Sequence, residues 1–174
     1  NNIVGTQALV DACVASGVTR FMFTSSSSIY GDDSPRPFNE DHVVDHPLSP
    51  YAATKRSGEF LMQLAHRTHS LAVSTVRIFT AVGERQRPDL AVHKFCARIF
   101  GGEPITLFGD GTTERDYTYV GDVADGMIRA LDAARDYRVY NLGAGRPVLL
   151  KELVAIMADA MGRRPEIEYL PRQK

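Results

Sequence analysis

The run Phe21-Met22-Phe23 is apolar without interruption and passes directly into the hydroxyl-rich run Thr24-Ser25-Ser26-Ser27-Ser28. A strand that is apolar on both faces is typical of a parallel sheet covered by helices on both sides. The sequence therefore predicts an α/β fold with a strand over residues 18–24. Because ligands bind beyond the carboxyl ends of the strands in open parallel sheets, we expect the serine cluster to lie where chemistry takes place.

Tyr51 and Lys55 lie four residues apart. Pro50 directly before them is typical of the first turn of a helix, so both are predicted to be helical. This spacing puts both side chains on one helical face. A neighbouring ammonium favours the phenolate and lowers the pKa of a tyrosine toward working pH, which general acid/base catalysis requires. Taken alone the pair is a weak signal, because a half-buried tyrosine beside a solvated lysine arises by chance in many helices.

Helix-like and strand-like segments alternate along the rest of the chain. Proline residues make the range 31–50 a loop. The predicted buried sides of two helices include Phe60, Leu64 and Ile156. The helices cover 1–17, 51–69, 92–100 and 148–161, and another helix starts within 119–123. The further strands cover 72–79, 105–109, 137–143 and 165–170.

Composition excludes several classes of function. The formal net charge of -1 gives no indication of a nucleic-acid or membrane-surface binder, and no apolar run is long enough to cross a membrane. Cys13 and Cys96 are expected to be buried thiols of a cytoplasmic protein. His42 and His46 have no third ligand nearby in the sequence, so no metal site is expected.

The predicted strand, the serine cluster, Tyr30-Gly31 and the later Tyr51–Lys55 pair together resemble the extended short-chain dehydrogenase/reductases. More narrowly, they resemble the NAD-dependent nucleotide-sugar epimerase/dehydratase family, and this resemblance covers nearly the whole chain. It implies a Rossmann-type parallel sheet with a small substrate-binding lobe. Residues 1–82 would be the C-terminal part of the NAD-binding domain, including the catalytic helix. Residues 83–174 would form most of the nucleotide-sugar-binding lobe, with some segments returning to the sheet.

The family's Gly-x-x-Gly-x-x-Gly turn, which holds the dinucleotide pyrophosphate, is absent from the sequence. Relative to the family, the first βαβ units and the C-terminal tail are also absent. We interpret the chain as a fragment, with a protein that never bound the cofactor as the alternative.

The resemblance implies three catalytic residues. Tyr51 would remove the proton of the sugar C4 hydroxyl, Ser26 would hydrogen-bond that hydroxyl, and Lys55 would hold the nicotinamide ribose and tune Tyr51. These three also count as contacts to NAD, together with Asn1 and Phe79. A plain helix N-cap remains open for Asn1, and simple core packing remains open for Phe79.

The run from Gly83 to Asp89 resembles the Gly-x-Arg-Gln-Arg-Pro-Asp segment of UDP-glucuronate 4-epimerases. A guanidinium suits a carboxylate through two parallel hydrogen bonds, so Arg87 is the candidate for a sugar carboxylate. A solvated surface loop is the competing interpretation. The full set of implied substrate contacts is Ser27, Ser28, Thr80, Arg87, Thr106, Phe108 and Arg115. Asn141 and Glu40 also match family positions, the first as a structural residue and the second without an assigned role.

Related sugar dehydratases place Asp-Glu directly after the catalytic threonine, where this sequence has Ser27 and Ser28. The chain lacks a local carboxylate for elimination, which favours epimerisation. The implied function is an NAD-dependent UDP-sugar 4-epimerase acting first on UDP-glucuronate. A UDP-glucose or UDP-N-acetylglucosamine 4-epimerase and a catalytically silent nucleotide-binding relative are the alternatives. The resemblance also implies a homodimer formed by the catalytic helix and the helix before it, with no nucleic-acid or membrane partner.

Overall fold

The computed structural model describes residues 1–172. The chain divides into two compact units. The first contains residues 1–79 and 121–143, and the second contains residues 80–120 and the described residues from 144 onward. Each unit has its own apolar core, so each is described by itself.

Five α-helices, one short 3-10 helix and eight strands are present in the described residues. The helices are α1 (Val4–Ala15), α2 (Pro50–His69), α3 (Ala91–Gly101), α4 (Val120–Asp132) and α5 (Leu150–Met161), with the 3-10 helix at Ser27–Tyr30. The strands are β1 (Arg20–Ser26), β2 (Ala72–Ile78), β3 (Thr80–Val82), β4 (Ile105–Phe108), β5 (Glu114–Tyr119), β6 (Tyr137–Leu142), β7 (Pro147–Leu149) and β8 (Ile167–Leu170).

The first unit is built on a parallel sheet with the strand order β1-β2-β6. Ser26 pairs with Ile78 on one side, and Ile78 pairs with Leu142 on the other. The carboxyl ends of the three strands therefore meet at one edge of the sheet, and Ser26 lies at that edge. The predicted α/β fold with a parallel sheet is confirmed.

Strand β2 is the most buried strand of the first unit because it lies between β1 and β6. Residues 72–77 of β2 are all buried, as expected for a strand with a neighbour on each side. Burying a side chain the size of Met62 or Leu71 stabilises the fold by about 1.5–3 kcal/mol. The buried cluster consists of Val10, Phe23, Met62, Ala65, Leu71 and Val73.

Helix α2 begins where the sequence predicts. The Ser49 Oγ accepts a hydrogen bond of 3.1 Å from the backbone N–H of Ala52, which caps the helix, and Pro50 occupies the first turn. The helix ends at His69, and its C-cap, Ser70, adopts the left-handed conformation with φ of 56°.

Gly58 sets how closely α2 approaches the sheet. A Cβ atom at this position would overlap the ring of Phe23 in β1. The missing side chain therefore lets the helix backbone pack directly against the strand that carries Ser26.

The second unit contains two small sheets. β4 pairs with β8 in parallel, while β5 lies between β3 and β7. Its core lies between α3, α5 and β4, and the buried members are Phe95, Ile99, Ile105, Leu107, Val154 and Met157. The strands β3, β5 and β7 are absent from the sequence prediction.

Some predicted buried positions are wrong. Phe60, Leu64 and Ile156 are 51%, 54% and 59% exposed. Periodicity identifies an apolar helical stripe but not its width, and these residues lie beyond the part that packs on the core. The alternative of an N-cap at Asn1 is also wrong, because the N-cap of α1 is Ile3 and no side chain caps this helix.

Candidate active site

Helix α2 presents Tyr51 and Lys55 on one face. The Lys55 Nζ lies 5.8 Å from the centroid of the Tyr51 ring and donates a 2.8 Å hydrogen bond to the carbonyl oxygen of Thr24. This bond ties the helix to the carboxyl end of β1. Burial lowers the pKa of the Lys55 ammonium. Tyr51 is 49% exposed, and its hydroxyl makes no hydrogen bond within residues 1–172. The phenol is therefore open to a ligand.

Ser26 is both the last residue of β1 and the N-cap of the 3-10 helix. Its Oγ accepts hydrogen bonds from the backbone N–H of Ser28 at 3.2 Å and from the Ser28 Oγ at 3.0 Å. A serine hydroxyl that accepts two bonds can still donate its own proton. Ser27 is half-buried and Ser28 is exposed. The turn therefore presents three hydroxyls at the edge of the sheet.

The start of the chain is attached to the same helix. The Asn2 Nδ2 donates a 3.1 Å hydrogen bond to the Thr54 Oγ1, between Tyr51 and Lys55. Asn1 is exposed, and its carbonyl oxygen accepts from the N–H of Gly5. The side chain of Asn1 is thus left available for the cofactor contact that the sequence predicts.

Phe79 follows β2 directly. Its N–H donates a 3.0 Å bond to the carbonyl oxygen of Leu142, and its ring centroid lies 6.2 Å from that of Phe38. The ring is half-buried. The ring is therefore partly packed against Phe38, and its exposed part is accessible for a contact with the nicotinamide.

A buried ion pair lies between helix α2 and strand β2, and sequence reasoning missed it. Arg77 of β2 donates to both carboxylate oxygens of Glu59 of α2, with Nε–Oε1 and Nη2–Oε2 distances of 3.0 Å each. Their side chains are 3% and 0% exposed. Burial alone lowers the pKa of Arg77, but Glu59 and Tyr30 more than offset that effect, so its pKa is raised.

The same guanidinium reaches the turn that follows Ser26. The Arg77 Nη1 donates to the Tyr30 hydroxyl at 2.8 Å, and that hydroxyl donates to the Asn141 Oδ1 at 2.8 Å. Burial raises the pKa of Tyr30, with Arg77 opposing the shift, so the phenol keeps the proton that it donates. Glu40, which had no assigned role, accepts from the backbone N–H of Asn141 at 2.7 Å. These bonds give Asn141 the structural role that the sequence predicts.

Predicted substrate residues of the second unit lie on the outer side of its strands. In β4, Ile105 and Leu107 point into the core, whereas Thr106 is half-buried and Phe108 is 42% exposed. This alternation leaves Thr106 and Phe108 free of the core. Thr80 is a half-buried residue of β3.

Arg115 lies in β5 and is exposed. Its guanidinium makes no hydrogen bond or ion pair to any residue of the described chain. A strand residue held at a fixed position with its donors free is suited to an anionic ligand.

Arg87 is exposed and forms an ion pair with Asp89, two residues away. The Nε–Oδ1 distance is 2.9 Å, and a second bond joins Nη2 to Oδ2. The side chains are 74% and 59% exposed, and Arg87 lowers the pKa of Asp89 to about 2. The guanidinium fork that the sequence assigns to a sugar carboxylate is thus held by a carboxylate of its own loop.

The described residues fit the nicotinamide end of NAD. Tyr51 and Lys55 lie at the carboxyl edge of a parallel sheet, where dinucleotides bind in this type of fold. Thr24 accepts the only hydrogen bond that Lys55 makes within residues 1–172, so two ammonium protons remain for ribose hydroxyls. No group of three or more possible metal ligands occurs in the described residues, and none of their helices is long and apolar enough to span a membrane.

Comparisons with known proteins identify the family of this chain. The sequence pattern of the NAD dependent epimerase/dehydratase family matches residues 1–143. A UDP-glucuronate 4-epimerase of Thermodesulfobacterium geofontis is 42% identical over 171 residues, which cover 98% of this chain and 52% of that protein. The chain therefore spans about half the length of the curated relatives it matches.

Two solved structures are similar in fold. The UDP-glucuronic acid 4-epimerase of Bacillus cereus, in complex with UDP-glucuronic acid and NAD, superposes with a TM-score of 0.92 at 34% identity. The UDP-glucose 4-epimerase of Thermotoga maritima, with UDP-glucose, superposes with a TM-score of 0.94 at 31% identity. Each match covers 99% of this chain, and respectively 55% and 57% of those chains.

Proposed function

The chain belongs to the NAD dependent epimerase/dehydratase family, and from this premise we propose that the complete protein is a UDP-sugar 4-epimerase that interconverts UDP-glucuronate and UDP-galacturonate. The observation that carries the proposal is the arrangement around Lys55. Its ammonium lies against the Tyr51 ring and bonds to the carbonyl of Thr24, two residues before Ser26. An acid/base group, its tuning cation and a hydroxyl turn thus belong to adjoining elements at the edge of the sheet.

The chain's own residues perform the proton transfers of the reaction. The Tyr51 phenolate takes the proton of the C4 hydroxyl, and Ser26 holds the same oxygen by a hydrogen bond. When bound, NAD would supply the redox chemistry at C4, namely the reversible oxidation of the alcohol to a ketone by hydride transfer, with the hydride returning to the opposite face of the sugar. Tyr51 then gives the proton back to the C4 oxygen, so neither protons nor electrons are gained or lost over the cycle.

Lys55 supports Tyr51 in two ways. Its positive charge favours the phenolate over the phenol, and its remaining protons bind the nicotinamide ribose. Asn1 and Phe79 complete the proposed cofactor contacts within this chain. The sequence contains no glycine-rich turn of the kind that holds the pyrophosphate in this fold, so these residues account for the nicotinamide end only.

The lack of a carboxylate at positions 27 and 28 supports epimerisation over loss of water. Elimination needs an acid that protonates the leaving hydroxyl, and Ser27 and Ser28 cannot supply one at neutral pH. We assign both serines to hydrogen bonds with the sugar. Thr80, Thr106 and Phe108 are proposed as contacts to the sugar and the uracil, and Arg115 as the contact to the diphosphate.

We propose that Arg87 releases the carboxylate of Asp89 and binds the sugar carboxylate in its place. An exposed ion pair contributes little to stability, so the exchange costs little. The same pair is the observation that favours the second candidate, a UDP-glucose 4-epimerase. A neutral sugar would leave Arg87 and Asp89 undisturbed.

The proposal is tested by incubating the complete protein with UDP-glucuronate and, separately, UDP-glucose, and resolving the C4 epimers by chromatography. We expect conversion of the glucuronate. Tyr51→Phe should lower kcat at least about 100-fold while the nucleotide sugar still binds, because only the transferable proton is removed. If the complete protein epimerises neither sugar but binds both, the catalytically silent relative becomes the better interpretation.

We also propose a homodimer formed through α1 and α2. Leu9, Phe60 and Leu64 on these helices are each more than half exposed, although they are large and apolar. A shallow depression between the helices, lined by residues that include Val10, Leu61 and Ala65, adjoins them. A second copy would remove this surface from water. Sedimentation equilibrium on the complete protein should give the mass of two chains.

A further inference from the structure

One guanidinium contacts both elements that carry the proposed acid/base groups. Arg77 uses Nε and Nη2 for Glu59 of α2 and Nη1 for Tyr30 at the end of the 3-10 helix. Its Nη1 also donates to the carbonyl oxygen of Glu40 at 3.1 Å. The planar group therefore fixes these two elements relative to each other through hydrogen bonds of defined direction.

The position of Glu59 on α2 gives this contact a functional meaning. Tyr51, Lys55 and Glu59 follow one another at intervals of four residues, so they lie along one face of the helix. A bond that fixes Glu59 therefore limits the rotation of α2 about its own axis, and with it the direction in which Tyr51 points. Arg56 adds a second bond to the Glu59 Oε2, at 3.0 Å.

Tyr30 links Arg77 to the turn that carries Ser26, as Glu59 links it to the helix that carries Tyr51. Ser26 is the N-cap and Tyr30 the last residue of the same single turn. The Tyr30 ring stacks on Phe38 at 4.4 Å between centroids, and its hydroxyl lies between Arg77 and Asn141. Anchoring the end of so short a turn also anchors its start.

We propose that Arg77 is a positioning residue that sets the distance between Tyr51 and Ser26 by binding Glu59 and Tyr30 at the same time. The inference rests on the proposed function, since it concerns the geometry of that reaction. Misplacing a reacting group by about 1 Å can cost about 100-fold in rate. When the Tyr30 hydroxyl is removed, the Arg77 Nη1 keeps its other acceptor, the carbonyl oxygen of Glu40, and the Tyr30 ring keeps its stacking on Phe38. Removing the hydroxyl should therefore affect the rate far more than the fold.

The test compares Tyr30→Phe with Ser74→Ala in the complete protein. Both residues lie in the first unit, and each variant removes one buried hydroxyl. The Ser74 Oγ, in the same strand as Arg77, donates to the carbonyl oxygen of Ala130 at 2.6 Å, and within the described residues it makes no hydrogen bond to α2 or to the serine turn. We expect Tyr30→Phe to lower kcat about 10-fold with little change in KM, and Ser74→Ala to leave both unchanged. Amides of residues 26–31 should exchange hydrogen faster only in Tyr30→Phe.

The same two variants are then combined with Ser26→Ala. If Tyr30 acts through Ser26, adding Tyr30→Phe to Ser26→Ala should lower kcat by less than about 2-fold, because the group it positions is already gone. The positioning role is overturned if Tyr30→Phe causes a full 10-fold further loss in the Ser26→Ala background. It is also overturned if Tyr30→Phe alone lowers kcat no more than Ser74→Ala alone does. Failure of the proposed function is recognised separately: the unmodified protein would not epimerise, or Ser26→Ala alone would keep its turnover.

Discussion

Two arginine–carboxylate pairs in this chain share the same two-bond geometry and differ in their surroundings. The Arg77–Glu59 pair is 3% and 0% exposed and belongs to the first unit. The Arg87–Asp89 pair is 74% and 59% exposed and belongs to the second. In the first pair the charges have lost their water, and their remaining partners are fixed protein groups: Arg56 for Glu59, and the Tyr30 hydroxyl and Glu40 carbonyl oxygen for Arg77. In the second pair, water can replace either partner at little cost.

This difference separates a group that holds the protein together from a group that can change partners. Leaving a buried charge without its partner is strongly unfavourable, so Arg77 has one stable arrangement. An exposed arginine gives up one carboxylate for another readily, which a ligand-binding residue must do. Two arginine–carboxylate pairs with the same bonding geometry are therefore suited to different roles because of their burial: the buried pair fixes the structure, and the exposed pair can exchange one carboxylate for another.

The largest expected effect comes from neutralising the buried carboxylate. Glu59→Gln keeps the shape of the side chain but leaves Arg77 as a buried charge without a counter-ion. We expect the free energy of unfolding to fall by about 3–5 kcal/mol. Denaturant unfolding of the complete protein measures this loss.

The matched control for that prediction is Asp89→Asn, which neutralises the carboxylate of the exposed pair. It should leave the denaturation midpoint almost unchanged. Equal losses in the two variants would break the comparison, since burial would then not distinguish the pairs.

A smaller effect, on selectivity, is expected at Arg87. Arg87→Ala removes the fork proposed for the sugar carboxylate, so kcat/KM for UDP-glucuronate should fall about 10- to 100-fold, as the loss of a charged hydrogen bond implies. The value for UDP-glucose should stay within about 3-fold of the original. Arg85→Ala, an exposed arginine in the same segment, is the control for a general loss of positive charge. An equal fall for both sugars would contradict the role of Arg87.

The smallest effect concerns the pH dependence of the exposed pair. The pKa of Asp89 is lowered to about 2 by Arg87, from a usual value of about 4. A carboxyl whose pKa is lower in the folded state contributes stability above its unfolded pKa and loses it as pH falls through the folded value. The difference in Tm between the unmodified protein and Asp89→Asn should be constant from about pH 7 to 5 and shrink below about pH 4. A difference that stayed the same down to about pH 2 would mean that the pair does not form in solution, because the pKa of Asp89 would then be equal in the folded and unfolded states.

The parts of this structure that sequence predicts well are those specified by neighbouring residues. Ser49 and Pro50 predict the start of α2, and an uninterrupted apolar run predicts β1. The serines reach the edge of the sheet because the strand before them ends there. Each of these signals lies within a few residues of the feature it predicts.

The Arg77–Glu59 pair shows why the rest was missed. Its partners are 18 residues apart, and a charged residue read singly is assigned to the surface. A usable signal was present. Arg77 lies in the predicted strand 72–79 of a sheet expected to be covered on both faces, and a charge in such a strand must find a buried partner. Glu59 was a candidate partner, because it lies four residues after Lys55 on the face of α2 that carries Tyr51 and Lys55.

The close contact at Gly58 has a consequence for attempts to stabilise this protein. Replacing a glycine inside a helix by alanine normally gains about 1 kcal/mol, so propensity alone would rank Gly58 as a first target for engineering. Here the added methyl group would collide with Phe23. The helix would have to move away from β1, and Tyr51 and Lys55 would move with it. A routine stabilising substitution at this glycine would therefore act as an active-site mutation, seven residues from the tyrosine whose position it changes.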